Sequence, residues 1–229
     1  MGRRRPSALT YGPLCRRIGA KPAVWPGFLE GPFEMHLVVR PARLAGAVEI
    51  PGSKSHTIRA VCAAALADGE SVIEAPLASA DTLATVDACR SLGAAVEMES
   101  DCWRVRGFAG RPSAPDNVID VRNSGTTLRL AMGTAALLPD GAAVFTGDHQ
   151  IRRRPIGPLA KSLNDLGACV HSTRNNDCAP VVVAGRLRGG KTSIEAVSSQ
   201  YLSSLLMACP LAADTCEIDV PLLNEKPYV

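Results

Sequence analysis

Three short polar segments that recur along the chain have the residue types needed to bind anions. They are Ser-Lys-Ser at 53–55, Asn-Ser-Gly-Thr at 123–126 and Ser-Ser-Gln at 198–200, and each opens an apolar stretch with helical periodicity. Helix N-termini present unpaired N–H groups and the positive end of the helix dipole, so they attract negative charge. With nearby cations they predict a pocket for a small, multiply anionic ligand; these cations are Lys54, Arg59, Arg129 and Arg154.

The spacing of these segments predicts a repeated unit that places each of them equivalently. Ser55 and Ser124 lie 69 positions apart, and Ser124 and Ser198 lie 74 apart. The surrounding pattern predicts an α/β fold of the α+β type, with the unit β-α-β-α-β-β present twice in full and a third time in part. Helices are expected at 55–67, 81–92, 124–138, 155–167 and 199–212, and strands at 71–74, 95–99, 103–106, 143–146, 169–172, 181–184, 193–197 and 216–220.

Composition and charge exclude several classes of protein. The formal charge is +3, but residues 1–34 contribute +4 and the rest carries −1, which argues against a nucleic-acid binder. No apolar run is long enough to predict a membrane-spanning helix. The eight cysteines are scattered singly, a pattern typical of reduced thiols in the cytoplasm rather than of disulfides or zinc sites.

The first 34 residues differ from the rest, since they are rich in Arg, Pro and Gly and lack apolar periodicity. They predict a disordered N-terminal extension; a plastid transit peptide and a true start at Met35 are the alternatives. Residues 36–50 alternate as a strand before Pro51 and Gly52.

One segment offers a different chemistry. Residues 185–192, Gly-Arg-Leu-Arg-Gly-Gly-Lys-Thr, fit the phosphate-binding pattern GxxxxGK[ST] of P-loop nucleotide hydrolases. That motif needs a helix starting at its lysine, Lys191, whereas residues 192–197 alternate like a strand. The pattern therefore favours a hairpin turn, and a strand at 192–197 would exclude the P-loop.

Six stretches of the chain carry a family resemblance. They are Pro-Gly-Ser-Lys-Ser-His-Thr-Ile-Arg at 51–59, Ser-Ala-Asp-Thr at 79–82, Asn-Ser-Gly-Thr-Thr-Leu-Arg at 123–129, Gly-Asp at 147 through Arg-Pro-Ile-Gly at 154–157, Ser-Ser-Gln-Tyr-Leu at 198–202 and Lys-Pro-Tyr-Val at 226–229. Taken together, and in this order, they resemble the 5-enolpyruvylshikimate-3-phosphate synthase family, enolpyruvyl transferases of the shikimate pathway. The sister family, UDP-N-acetylglucosamine enolpyruvyl transferase, is disfavoured because the loop at 147–154 lacks that family's reactive cysteine.

The resemblance implies two domains of repeated units around buried helices. Residues 35–52 would be a strand segment of a second domain that is otherwise missing, and residues 53–229 an incomplete shikimate 3-phosphate-binding domain. The implied reaction transfers the enolpyruvyl group of phosphoenolpyruvate to the 5-hydroxyl of shikimate 3-phosphate. The family's acidic catalytic residue would lie in the missing half, so the chain alone is expected to be inactive; a non-catalytic fragment or half of a split enzyme is the alternative.

The resemblance also implies roles for individual residues. Lys54 would be catalytic and contact both substrates, and no metal or cofactor is expected. The implied partners are the two anionic substrates and a complementing C-terminal half, otherwise a monomer, with no nucleic acid or membrane. Glu225 departs from the family, because an acid there would repel a phosphate unless it turned away. Shikimate 3-phosphate would contact Lys54, Ser55, Arg59, Ser198, Ser199, Gln200 and Tyr228; phosphoenolpyruvate would contact Lys54, Asn123, Gly125, Arg154 and Gln200.

Overall fold

The computed structural model describes residues 40, 41, 43 and 45–229. The elements below belong to one compact unit, residues 48–229. The predicted extension at 1–34, the alternative start at Met35 and the first part of the predicted strand, residues 36–39, lie outside the described residues.

The rest of that predicted strand is not formed. Residues 47–50 have no regular secondary structure, and the side chains of Val48 and Ile50 are 75% and 82% exposed. A strand is stable only where a neighbour takes up its backbone hydrogen bonds, and none of the strands described below pairs with these residues. Residues 47–50 therefore lie outside the strands described here, and the assignment of 35–52 to a strand segment of an otherwise missing second domain stays a prediction.

The described part of the chain contains five α-helices, nine strands and short 3-10 helices. The 3-10 helices discussed here are Ile151–Arg153, Cys209–Leu211 and Lys226–Tyr228. The α-helices are α1 (Lys54–Leu66), α2 (Ala80–Ser91), α3 (Gly125–Ala135), α4 (Gly157–Asp165) and α5 (Ser199–Ala208). The strands are β1 (Glu70–Glu74), β2 (Ala95–Met98), β3 (Cys102–Arg106), β4 (Ile119–Asp120), β5 (Ala142–Thr146), β6 (Cys169–Ser172), β7 (Val181–Ala184), β8 (Gly190–Ser193) and β9 (Cys216–Asp219).

The order of these elements confirms the mixed helix and sheet fold built from a repeated unit. The second copy of the repeat is complete and forms a sheet in the order β4-β5-β7-β6, in which only β4 and β5 are parallel. The first copy forms the antiparallel sheet β1-β3-β2 and lacks the opening strand, so it is not the full copy that was predicted. The third, partial copy contributes the parallel pair β8-β9 around α5.

Helix α3 lies at the centre of the fold. All eleven of its residues are buried, and it packs against α5. Close approach of the two helices depends on Gly133, since a Cβ there would lie 2.9 Å from the backbone oxygen of Ser204 on α5. The Ser204 hydroxyl in turn donates a hydrogen bond of 2.6 Å to the backbone oxygen of Arg129. The central helix is thus fixed by a small residue facing a hydroxyl.

The helix boundaries that differ most from the prediction belong to α3, α4 and α5. Helix α4 begins at Gly157 rather than Pro155, because Pro155 forms a β-bridge with Cys178 and Pro158 is the first-turn proline. Helix α3 ends at Ala135 rather than at residue 138, in a buried turn. Helix α5 ends at Ala208 rather than at residue 212, because the chain tightens into a 3-10 turn containing a proline.

The segment that fits the P-loop pattern contains no helix after its lysine. Lys191 lies within β8, paired with Glu217 of β9, and their side chains form a 2.6 Å ion pair. The P-loop alternative is excluded, although the strand ends at Ser193 and continues only as an isolated bridge at Ala196.

The part of the chain that the structure describes contains no helix with the length and hydrophobicity that a membrane span requires.

Candidate anion-binding site

The three predicted polar segments do cap helices in equivalent ways. The hydroxyls of Ser53, Ser124 and Ser198 cap α1, α3 and α5, each accepting a backbone N–H of the first turn. The first cap is Ser53, whereas Ser55 lies inside the helix. No acidic residue stands in the first turn of these three helices, although an acid is favourable there. Their positive ends are therefore left without compensation from their own helix.

Arg59 joins the beginnings of α1 and α5. Its Nη2 donates to the hydroxyls of Ser203 at 3.1 Å and Ser199 at 3.4 Å, and its Nη1 donates to the backbone oxygen of Ser55. The guanidinium lies 5.2 Å from the centre of the Tyr228 ring, within cation–π distance. Its buried Nε has no hydrogen-bond partner, and burial lowers the pKa of Arg59. We give the name α1/α5 cluster to Ser55, Arg59, Ser198, Ser199, Ser203 and Tyr228.

Arg129 links α3 to α5 and is almost completely buried, with 7% of its surface exposed. Its Nη1 donates to the side-chain oxygen of Gln200 at 2.7 Å and to the backbone oxygen of Gly125 at 3.2 Å. Its Nη2 donates to the backbone oxygen of Pro155 at 2.9 Å, and the Tyr201 hydroxyl donates to the same oxygen. One guanidinium thus ties together the start of α5, the start of α3 and the loop before α4.

A second guanidinium reaches the start of α3. A Cβ built at Gly125 would lie 2.9 Å from Nη1 of Arg154 and 2.8 Å from Nη1 of Arg129, so both cations flank this glycine. Arg154 also donates to the side-chain oxygen of Asn123 at 3.1 Å. Arg154 therefore points its charge at the N-terminus of α3, although it precedes α4 in the chain. We call Asn123, Gly125, Arg129, Arg154 and Gln200 the α3 cluster.

Asp148 positions the loop that carries these groups. Its carboxylate accepts the backbone N–H groups of Gln150 at 2.9 Å and Ile151 at 3.0 Å, together with the side-chain amide of Asn123. The hydrogen bond from the Ile151 backbone is the main cause that lowers the pKa of Asp148, because it favours the ionised form.

The stability contribution of Asp148 is expected to depend on pH. A carboxyl group whose pKa is lowered by folding stabilises the fold above its unfolded pKa, and that stabilisation is lost as the pH falls through the folded pKa. The free energy of unfolding of Asp148→Asn should therefore lie below that of the wild type at neutral pH and approach it in acid. Urea unfolding from neutral pH into the acid range measures this. A gap that stays constant with pH contradicts the assignment.

Lys54 occupies a separate position at the start of α1. Its ammonium lies 2.7 Å from the carboxylate of Asp81 in the first turn of α2, and half of its side chain is exposed. The start of α2 is held next to α3, since the Thr127 hydroxyl donates to the backbone oxygen of Asp81 and pairs with Thr85 at 2.7 Å. Asp81 thus contacts both Lys54 and the Thr127 side chain of α3.

Glu225 brings an acid to the start of α5. One oxygen of its carboxylate, Oε2, accepts the Ser199 backbone N–H at 3.0 Å, the Ser199 hydroxyl at 2.8 Å and the Ser198 hydroxyl at 3.5 Å. The Ser199 backbone hydrogen bond is the main cause that lowers the pKa of Glu225. The carboxylate is therefore turned towards the helix N-terminus, the orientation that the sequence argument had treated as repulsive to a phosphate.

Similarity to known proteins decides the family. The family model of EPSP synthase (3-phosphoshikimate 1-carboxyvinyltransferase) matches residues 38–229. The chain belongs to the EPSP synthase family. It is 56% identical over 195 residues to the 3-phosphoshikimate 1-carboxyvinyltransferase of Acetivibrio thermocellus, covering 85% of this chain and 46% of that protein. It is also 47% identical over 207 residues to the 3-phosphoshikimate 1-carboxyvinyltransferase of Halobacterium salinarum, covering 90% of this chain and 46% of that protein.

A solved structure of the EPSP synthase family has the same fold. The enzyme from Acinetobacter baumannii superposes with a TM-score of 0.71 at 28% sequence identity, covering 79% of this chain and 41% of that one. The chain thus spans about half the length of the curated relatives it matches.

Most residues singled out from the EPSP synthase resemblance lie in two linked clusters. Gln200 connects them, because it follows Ser199 in the chain and accepts from Arg129. Lys54 contacts Asp81 instead of either cluster. Sequence reasoning counted Arg129 among the cations but gave it no role; its place one helical turn after Gly125 was the available signal. The contacts of Asp81, Asp148 and Glu225 were not predicted, although Asp81 and Asp148 lie in stretches that match the family and Glu225 departs from it.

Proposed function

We propose that the protein transfers the enolpyruvyl group of phosphoenolpyruvate to the 5-hydroxyl of shikimate 3-phosphate, releasing phosphate. The observation that carries this proposal is the convergence of Arg59, Arg129 and Arg154 on the N-termini of α1, α3 and α5, whose own first turns contain no acidic residue, in a family named for this reaction. Both substrates are small and multiply anionic. Guanidinium groups and helix N-termini suit phosphates and carboxylates.

The α1/α5 cluster is the proposed site for shikimate 3-phosphate. Ser198 and Ser199 would hold the phosphate at the start of α5, where hydroxyls and backbone N–H groups act together. Arg59 would pair with the carboxylate, since its buried Nε has a free hydrogen-bond donor. The ring would lie between the remaining proposed contacts, Ser55, Gln200 and Tyr228.

The α3 cluster is the proposed site for phosphoenolpyruvate. Gly125 has no side chain, so the ligand would approach the α3 backbone closely between the guanidinium groups of Arg129 and Arg154. Asn123 would support Arg154 through their hydrogen bond, and Gln200 would border both substrates. Lys54 would turn from Asp81 towards the anions as they bind.

The proposed chemistry adds the shikimate 5-hydroxyl to phosphoenolpyruvate and then expels phosphate. Fixed positive charge and orientation of the two substrates would lower both barriers, with Lys54 as the catalytic group contributed by this chain. The remaining acid and base groups would belong to the half of the family fold that this chain does not span. The proposal requires no metal or cofactor, and we place the reaction in the cytoplasm.

A second candidate is a fragment or half-enzyme that binds shikimate 3-phosphate without turnover and works with a complementing C-terminal half. The observation that favours it is the 46% coverage of the relatives. Release of inorganic phosphate from phosphoenolpyruvate, measured with both substrates present, distinguishes the two candidates, because only the transferase produces it.

Calorimetric titration of shikimate 3-phosphate, followed by phosphoenolpyruvate, tests the proposed site. Lys54→Ala is expected to weaken binding by about tenfold, worth about 1.4 kcal/mol. Lys191→Ala is the matched control, because Lys191 also pairs with a carboxylate, at 2.6 Å, but lies in β8. Equal losses in both variants, or shikimate 3-phosphate binding no more tightly than unphosphorylated shikimate, would contradict the proposal.

A further inference from the structure

The backbone around Glu225 holds its carboxylate over the N-terminus of α5. Asn224, the preceding residue, donates its backbone N–H to the backbone oxygen of Ala196 at 3.0 Å and its side-chain amide to the backbone oxygen of Val197 at 3.4 Å. Glu225 itself has a left-handed backbone, with φ of 52°, which is uncommon for a residue of this kind. The turn thereby redirects the chain into the 3-10 helix Lys226–Tyr228.

The residues after this turn lie across the α1/α5 cluster. The Tyr228 ring packs against the guanidinium of Arg59 and edge-on to His56, with ring centres 6.0 Å apart. The Ser203 hydroxyl contacts the backbone oxygen of Tyr228 at 3.5 Å. The segment 224–228 is therefore docked on both helices whose N-termini form the cluster.

The groups that Glu225 contacts are those proposed to hold the phosphate. Ser199 is only 2% exposed, and both its backbone N–H and its hydroxyl donate to the carboxylate. Ser198 donates its hydroxyl to the same oxygen. A carboxylate resembles a phosphate in charge sign and in accepting several hydrogen bonds, so the two compete for the same donors.

We infer that Glu225 is an intramolecular competitor for the phosphate subsite, so that a phosphorylated ligand binds at α5 only after displacing this carboxylate. The inference rests on the proposed function for the location of the phosphate. It makes Glu225 a residue that sets the affinity and selectivity of the subsite. Ligands lacking the phosphate, such as shikimate, do not need the displacement.

Equilibrium binding of inorganic phosphate, shikimate 3-phosphate and shikimate to wild type and Glu225→Gln tests this. The glutamine keeps the size of the side chain and removes its charge. Affinity for both phosphate-bearing ligands is expected to rise about tenfold or more, while shikimate affinity stays constant. Glu217→Gln on β9 is the control, because it removes one negative charge from a side chain that contacts Lys191 and not α5. Glu225→Ala is the second variant, because it leaves no side-chain amide that occupies the subsite in place of the carboxylate.

The outcomes separate this inference from the proposed function. Equal phosphate affinity in wild type and both Glu225 variants overturns the inference, as does failure of all variants to bind phosphate, since removal of the carboxylate frees the donors. If phosphate binding rises but shikimate 3-phosphate binds no better than phosphate, Glu225 is the competitor and the proposed substrate is wrong. If shikimate 3-phosphate binds wild type and variants equally well, the substrate stands and the inference falls.

Discussion

Replacing Arg129 with leucine is expected to abolish phosphoenolpyruvate binding and to lower the free energy of unfolding by about 3 kcal/mol. Arg129 is almost fully buried and donates to Gly125, Pro155 and Gln200 from three different segments. Removing it takes the guanidinium donor away from Gly125, Pro155 and Gln200, although the Tyr201 hydroxyl still donates to Pro155. Each buried acceptor that is left without a donor costs about 1–3 kcal/mol. Urea unfolding and calorimetric titration of phosphoenolpyruvate measure the two effects.

Two further variants show whether the shape or the charge of Arg129 matters. Arg129→Lys keeps the charge but not the planar fork, so it should recover little of the stability. Arg104→Leu removes an exposed arginine whose contacts are the carboxylates of Glu70 at 3.7 Å and Glu99 at 4.0 Å, and it should cost under about 1 kcal/mol. A cost for Arg129→Leu as small as that for Arg104→Leu would refute the structural role.

Gly133→Ala is expected to destabilise the protein by about 2–3 kcal/mol. In an ordinary helix this change stabilises by about 1 kcal/mol, so the sign itself is informative. Here the new methyl group would meet the hydroxyl and backbone oxygen of Ser204, and α3 and α5 would have to separate. Thermal or urea unfolding gives the result.

Gly125→Ala is the matched control in the same helix. Its Cβ would meet side-chain atoms of Arg129 and Arg154 rather than the backbone of another helix. Its stability cost should therefore be smaller than that of Gly133→Ala, while phosphoenolpyruvate binding weakens because the guanidinium groups are displaced. If Gly133→Ala is as stable as Gly125→Ala, the close packing of α3 on α5 does not limit stability.

The parts of the fold that local chemistry determines were predictable from the sequence. Serine before an apolar helical pattern predicted the starts of α3 and α5, because the cap and the first turn are adjacent in the chain. Strands β6 and β7 were predicted at their observed bounds by alternation between turn residues. The family resemblance then supplied most residues of the two clusters, but neither Ser203 nor a role for Arg129.

The errors arise where a distant partner decides. Pro155 reads as a helix start, but its β-bridge to Cys178 delays α4 by two residues. The alternating residues at 47–50 form no strand, because alternation describes faces and provides no pairing partner. The carboxylate of Glu225 reaches α5 because Glu225 adopts a left-handed backbone conformation, which the residues around it do not predict. Contacts between residues far apart in sequence were thus beyond local patterns.

The account depends most on where the ligand binds. Amide chemical-shift mapping with shikimate 3-phosphate answers this residue by residue. The predicted result is that the largest shifts fall at the N-termini of α1 and α5, above all at Ser199 and Gln200. An open groove of about 650 Å³ along α4, lined in part by Lys161 and His171, offers an alternative location. Shifts concentrated in that groove, with Ser199 and Gln200 unchanged, would contradict the proposed site.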